Sequence, residues 1–269
     1  MSHKTKADLC ETSRASLYYR KKQPIKDWLL LQDILEVLRK HPSYGYRRVA
    51  QALRRNKKPV QRVMQNNGVK AYRRVGKKPW KKPSSEKDLF PNLLLHETPQ
   101  GIDDIWATDF TYLKWNKKML YVSTIIDLFT REVVACIIMT THATPLVLNT
   151  LMQGVLHHRT PRIIHSDQGS EYTSAAFQSL CISLGIQQSM SRRGCPWENG
   201  FQESFYGKFK TDLGDPNRFD DLGILVAEIY YTISTYNHTR IHSALGMSPK
   251  EFASLHILNY TEANLQKVS

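Results

Sequence analysis

Apolar positions in the first seventy residues recur at helical intervals. Trp28, Leu31, Leu35 and Leu38 share one face, so residues 26–40 predict an amphipathic helix ending near His41-Pro42. Before it, residues 4–22 read as two short helices around a polar break at Glu11-Thr12-Ser13, with Thr12 or Ser13 as cap. After it, SYGYRRVAQALRR predicts a helix with Val49, Ala50 and Leu53 inward. PVQRVMQNNG predicts another, with Pro59 in its first turn and Gly68 at its end. From Trp106 the pattern changes. WATDFTYLKW, KMLYVSTIID and REVVACIIM are rich in β-branched and aromatic residues and are separated by turn residues, so they predict an antiparallel meander. A helix over 145–158, a buried strand PRIIHSD, a helix over 174–184, a strand GIQQSMS and helices over 199–212 and 220–237 follow. The expected fold class is α/β, a mixed five-stranded sheet with flanking helices, preceded by an all-α helix-turn-helix region.

Charge divides the chain more sharply than hydropathy does. The 269 residues carry 38 Lys+Arg and 24 Asp+Glu, a net +14. Residues 1–90 hold 24 of the basic and only 7 of the acidic groups. Such an excess repels itself unless it meets a polyanion, and nucleic acid is the commonest intracellular one, double-stranded DNA if the basic helices place side chains in a major groove. The basic, Pro- and Ser-containing stretch KAYRRVGKKPWKKPSSEKDLF reads as a linker, with Trp80 available for stacking. The expected division is therefore 1–69 nucleic-acid-binding, 70–98 linker, 99–256 α/β core and 257–269 tail. No run approaches the roughly 18 apolar residues of a membrane span, and MSHKTKADLC lacks the apolar centre of a signal peptide, so a cytoplasmic protein with no membrane partner is expected. Cys10, Cys136, Cys181 and Cys195 show neither C-x-x-C spacing nor the density of a disulfide scaffold.

Three acids stand out by their company. Asp109 lies within the first predicted strand, Asp167 directly after the fourth in HSDQGSEYTS, and Glu203 on the helix NGFQESFYGKFK. Charges so close to buried strands are costly unless paired or bound to a cation. If the first and fourth strands are neighbours, the aspartates converge and a helix across that edge adds the glutamate. Carboxylate oxygens select Mg²⁺ or Mn²⁺. Asn199 and Lys210 are expected to project with Glu203 from one helix face, offering an amide and an ammonium for phosphates.

YGYRRVAQAL, FPNLLLHETPQGIDDIWATDFTYLK, YVSTIIDLFTREVV, HSDQGSEY, SMSRRGCPWENGFQESFYGKFK and YNHTRIHSALGMSPKEF, in that order, resemble insertion-sequence transposases of the IS-three family, specifically the second-reading-frame product. These have a DDE catalytic core of the retroviral-integrase type within the ribonuclease H-like superfamily. The resemblance implies that Asp109, Asp167 and Glu203 are the metal-binding catalytic triad, the last two separated by the family's 35 residues. It implies that Lys210 is the basic residue seven positions after the glutamate. The connection between the YRRVAQALRR and PVQRVM helices is only NKK, several residues shorter than is usual there.

The family implies cutting and joining of DNA at element ends, with two divalent ions activating water or a 3′-hydroxyl. Alternatives on the same residues are a ribonuclease H-type nuclease and a catalytically incomplete DNA-binding regulator. Arg192, Arg193 and Trp197 are candidates for gripping phosphate and stacking a base; Arg47, Arg48 and Arg62 are the candidates of the helical region. His165 and Gln168 either touch substrate or simply satisfy the strand end. Asn237, Arg240 and His242 read as structural. A homo-oligomer on DNA, fusion or association with the first-reading-frame product, and a place at the bacterial nucleoid are further implications of the resemblance.

Overall fold

A computed structural model of the chain describes residues 23–72, 90–192 and 195–268. The helices predicted over 4–22, the segment holding Trp80, and Arg193 lie outside the described residues. The chain divides into two compact units at the junction of Ala71 and Tyr72.

The first unit packs α1 (Gln23–Lys40), α2 (Tyr46–Ala52) and α3 (Lys57–Asn66). Leu30, Ile34, Tyr44, Val49, Ala50, Val60, Val63 and Met64 form its core. The predicted inward stripe on α1 is out of phase: Trp28 is 59% exposed and Leu35 44%, whereas Leu30 and Ile34 are buried. The run WLLL permits either phase, and packing against α2 and α3 selects the second. The short connection from α2 to α3 closes as a Schellman motif. Arg54 takes φ 50, its amide donates to Gln51 O, and the Arg55 amide donates to Ala50 O. Asn56 then caps α3, its side chain accepting from the Lys58 amide.

The second unit contains β1 (Ile105–Trp115), β2 (Lys118–Asp127), β3 (Val133–Met139), α4 (Thr144–His157), β4 (Ile163–Ser166), α5 (Ala175–Ser183), β5 (Gln187–Met190), α6 (Gly200–Leu213), α7 (Leu222–His238) and α8 (Pro249–Val268). The sheet order is β3-β2-β1-β4-β5. β1, β2 and β3 are antiparallel, and β4 runs parallel to both β1 and β5. Asn116 and Lys117, with φ 44 and 62, make the two-residue turn that matches the twist of β1 and β2.

Alternation along the strands splits the core into two layers. On one side Leu113, Trp115, Val122 and Ile126 pack against Phe205, Phe209 and Leu213 of α6 and Leu225, Ile229 and Ile233 of α7. On the other, Trp106, Ile125 and Ile164 meet Val147 and Leu151 of α4 and Phe177 and Cys181 of α5. α4 approaches so closely at Gly154 that a Cβ there would lie 2.9 Å from the Trp106 ring.

Two expectations change. Residues 90–98 do not continue the linker: the Met190 amide donates to Pro91 O, Ser189 Oγ accepts from the Leu93 amide, and Leu93 and Leu94 pack on Ile105 and Ile163. The apolar run FPNLLL is what attaches it. The chain also does not lose regular structure after 237, because α8 runs through the expected tail at 257–269 as far as Val268.

Gly154→Ala should destabilise the second unit by about 1–3 kcal/mol through overpacking against Trp106. Urea denaturation measures it, and a stability equal to wild type would show that α4 can move away from the sheet.

Candidate active site

The parallel ladder pairs Ile105 with Ile163, Trp106 with Ile164 and Ala107 with His165. Carried two residues further, the same register sets Asp109 opposite Asp167. The two-residue period of β1 puts Asp109 on the side that carries Ala107, near enough to Asp167 for the charge of one to act on the other. Asp167 stands just past the end of β4 in a turn where its Oδ1 accepts from the Gly169 amide at 2.9 Å. Space is tight at Gly169: a Cβ there would sit 3.0 Å from Asp167 Oδ1 and 3.3 Å from Glu171 Oε2, so these carboxylates would have to give way.

α6 brings the third acid. Gln202 and Tyr206, one turn apart, point into the sheet. Gln202 Nε2 donates to Ala107 O at 2.6 Å, and Tyr206 OH donates to Asp109 O at 2.7 Å and meets Thr124 Oγ1 at 2.9 Å. At about 100° per residue, this clasp turns Glu203 and Lys210 toward the mouth beside Asp109. Lys210 Nζ lies 5.1 Å from the centre of the Tyr112 ring.

The electrostatics record the convergence. Burial, then the charge of Asp167, then that of Glu203 push the Asp109 carboxyl up to about 8, against the Phe110 amide and the Lys210 ammonium. Asp167 is exposed at its tip, yet the protein around it thins the solvent enough to raise its carboxyl, with Glu171 adding to the effect and the Gly169 amide opposing it. Among the described residues no three His, Cys, Asp or Glu side chains are drawn together tightly enough to hold an ion. Like-charge repulsion acts against that closure.

Two profiles of the integrase core domain match the chain, over residues 100–196 and 184–249. The transposase for insertion sequence element IS904 of Lactococcus lactis is 32% identical over 250 residues, covering 86% of this chain and 96% of that protein. InsK, assigned as transposase to insertion sequence element IS150 of Escherichia coli, is 32% identical over 256 residues, 90% of each chain. The chain belongs to the insertion-sequence transposase family. Its core also has the fold seen in the simian T-cell lymphotropic virus intasome, with a TM-score of 0.51 at 18% identity over 78% of this chain and 70% of that one. The transposase family carries DNA integration activity, a polynucleotidyl transfer.

In this transposase the remaining candidates fare unevenly. Asn199 is buried at 4% exposure; it closes a 3₁₀ turn (Pro196–Asn199) before α6, so it does not share the exposed face of Glu203 and Lys210. Arg192 is held in its loop, Nε donating to Glu198 Oε1 at 2.7 Å and its amide to Glu198 Oε2 at 2.8 Å. Asn92 donates to that same carboxylate. Trp197 is 61% exposed. Arg47 is exposed and Arg48 half-buried, whereas Arg62 pairs with Asp27 at 2.6 Å. His165 is fully buried, its Nδ1 2.9 Å from Ser189 Oγ, and burial pushes its pKa down to about 4; the strand-end reading holds. Gln168 donates to Ser191 O. Asn237 brackets β3 by bonding both the amide and the carbonyl of Val133, and Arg240 pairs with Asp212, so both are structural as expected. Gln202 and Tyr206 were missed; polar groups on the otherwise apolar face of Phe205 and Phe209 were the available signal.

Between its usual value near 3.8 and about 8, the folded protein keeps a proton on Asp109 that the unfolded chain has lost. The stability this confers is present below about pH 4 and is lost as the pH rises to about 8. Asp109→Asn should therefore flatten the stability profile of the metal-free protein and raise its melting temperature at pH 8 by about 2 °C or more. Parallel profiles for variant and wild type would remove Asp109 from the charge crowd.

Proposed function

We propose that the chain cuts DNA at the ends of an insertion sequence and joins the freed 3′-hydroxyl to target DNA, with Asp109, Asp167 and Glu203 as the acidic catalytic triad. The observation that carries the reading is the pairing of β1 with β4, which lets the charge of Asp167 act on Asp109, with Glu203 and Lys210 turned toward the same mouth by the Gln202 and Tyr206 clasp.

The donor set fits a hard divalent cation: three carboxylates, one of them pushed up by burial and by the other two, with no thiolate or imidazole among them. Asp109, Asp167 and Glu203 would hold Mg²⁺ or Mn²⁺, two ions in all, with Asp109 common to both. When bound, such ions activate an oxygen nucleophile and stabilise the departing 3′-oxygen of an in-line displacement at phosphorus. Asp109 must lose its proton to become a ligand, which makes cation uptake compete with protons below about pH 8. Lys210, held over Tyr112, supplies a positive charge for a phosphate next to the reacting one. Water as nucleophile gives cleavage and a DNA hydroxyl gives strand transfer, so no covalent protein–DNA bond is required.

The helix-turn-helix unit presents Arg47 and Arg48 to duplex DNA. In this reading the helical region 1–69 binds DNA and the second unit, to which residues 90–98 are attached, carries the chemistry. Synapsis of two element ends calls for a homo-oligomer on DNA, and association with the first-reading-frame product would add further DNA contacts. The protein would work at the nucleoid in the cytoplasm; no helix of the described residues is long and apolar enough to cross a membrane.

Asp109→Asn, Asp167→Asn and Glu203→Gln should each lower cleavage of element-end DNA by on the order of 10³ or more. Near-normal cutting by any one of them takes that residue out of the triad. Lys210→Ala should weaken binding of element-end DNA while leaving metal affinity near wild type, as read by parallel DNA and Mn²⁺ titrations; the opposite outcome contradicts its role as a phosphate contact.

A further inference from the structure

A cavity of about 360 Å³ opens on the other flank of α6, lined by residues that the acidic site does not use. Ser204 and Lys208 of α6 border it, roughly a third of a turn round the helix from Glu203. Trp197, from the turn before α6, and Phe201 contribute aromatic surface; they are 61% and 41% exposed. Glu198 also lines it, its carboxylate already engaged by Arg192 and Asn92.

Arg131 enters this cavity from the β2–β3 turn in an unusual way. Its backbone sits at φ 65, its amide donating to Asp127 O at 2.8 Å. That is a position glycine fills without strain and a long side chain fills at a cost of about 1 kcal/mol. Its guanidinium carbon lies 4.2 Å from the centre of the Phe201 ring. Its buried Nη1 donates to no acceptor among the described residues, although a buried donor is normally satisfied. Strained backbone, an unsatisfied charged donor and an aromatic plane behind it, inside one cavity, are the marks of a site awaiting an anion.

We propose that this cavity takes one unpaired nucleotide of a DNA strand, its base against Trp197 and Phe201 and its phosphate on Arg131 with Lys208 beside it. The cavity is too small for a duplex and about the size of a small-ligand pocket. Aromatic planes combined with basic side chains are what single-stranded nucleic acid requires, because every base offers a face and every nucleotide a charge. A transposase that frees a strand end at its acids has such a strand nearby. The proposal rests on the DNA-handling reading above, but its readout is independent of the catalytic acids.

The test is equilibrium binding of the full chain, without divalent metal, to a fluorescent duplex with a short single-stranded overhang and to its blunt counterpart. Arg131→Gly suits the backbone and should melt at or above the wild-type temperature. It and Trp197→Ala should each weaken overhang binding about tenfold while leaving blunt-duplex binding within about twofold. Arg131→Lys keeps the charge but loses the flat stacked plane, and should fall between. Because the assay contains no divalent metal and scores no cleavage, failure here is separate from failure of the catalytic assignment. Wild-type overhang binding by Arg131→Gly and Trp197→Ala would overturn the proposal, as would an equal loss for both DNAs. A change of oligomeric state in sedimentation with overhang binding intact would make the cavity an interface between copies and would also overturn it.

Discussion

The acidic site depends on how α6 is fastened to β1. A helix laid on a sheet by apolar contacts alone can slide or roll, since hydrophobic burial has no direction. Gln202 and Tyr206 remove that freedom by bonding the main-chain oxygens of Ala107 and Asp109. Each such bond adds only about 1 kcal/mol net, but a buried donor left without its acceptor costs about 1–3 kcal/mol, so a slipped helix is penalised twice. Because side chains on a helix keep fixed angles, locating Gln202 and Tyr206 also locates Glu203 and Lys210. The clasp bonds to the backbone of Asp109 itself.

The sheet supplies the other half of the arrangement by topology alone. A parallel β1–β4 pair brings the two aspartates to one end of the sheet, and the Gly169 turn holds the second just past the strand end. The cost is visible in Asp109, whose carboxyl is held up to about 8 by burial and by its acidic neighbours. Without a cation the site is under electrostatic load, and the apolar layers on either side of the sheet carry it. This is the ordinary form of a trade between stability and function.

Much of this was readable from residue patterns. β-branched runs announced the three-stranded meander, and the pairing of β1 with β4, on which the expected approach of Asp109 and Asp167 depended, is present and lets the charge of one act on the other. What escaped depended on partners remote in the chain. The phase of α1 turns on which of four consecutive apolar residues meets α2 and α3. Asn199 left the exposed face because a 3₁₀ turn ends where α6 begins, and helical spacing does not extend through that change. Arg62 and Arg192 looked like free cations, but Asp27 and Glu198 hold them. α8 carries little buried apolar surface to mark its period, only Pro249 and Ala253 being buried among the residues whose side chains are described.

Left-handed backbone at non-glycine residues separates structural need from functional retention. Asn116 and Lys117 are demanded by the two-residue hairpin. Asp103, at φ 59, uses its carboxylate to accept from Trp106 Nε1 and the Arg159 amide, so its side chain is needed where it stands. Arg54 terminates α2, where glycine would serve, but it lies in the basic unit and adds to a charge directed at DNA. Arg131 resembles Arg54 in backbone and differs in surroundings: glycine would make the same turn, and no carboxylate takes its Nη1. A strained position that glycine could relieve, filled by a cation lacking an acceptor for one donor, is explained by what the side chain can bind and not by the turn it occupies.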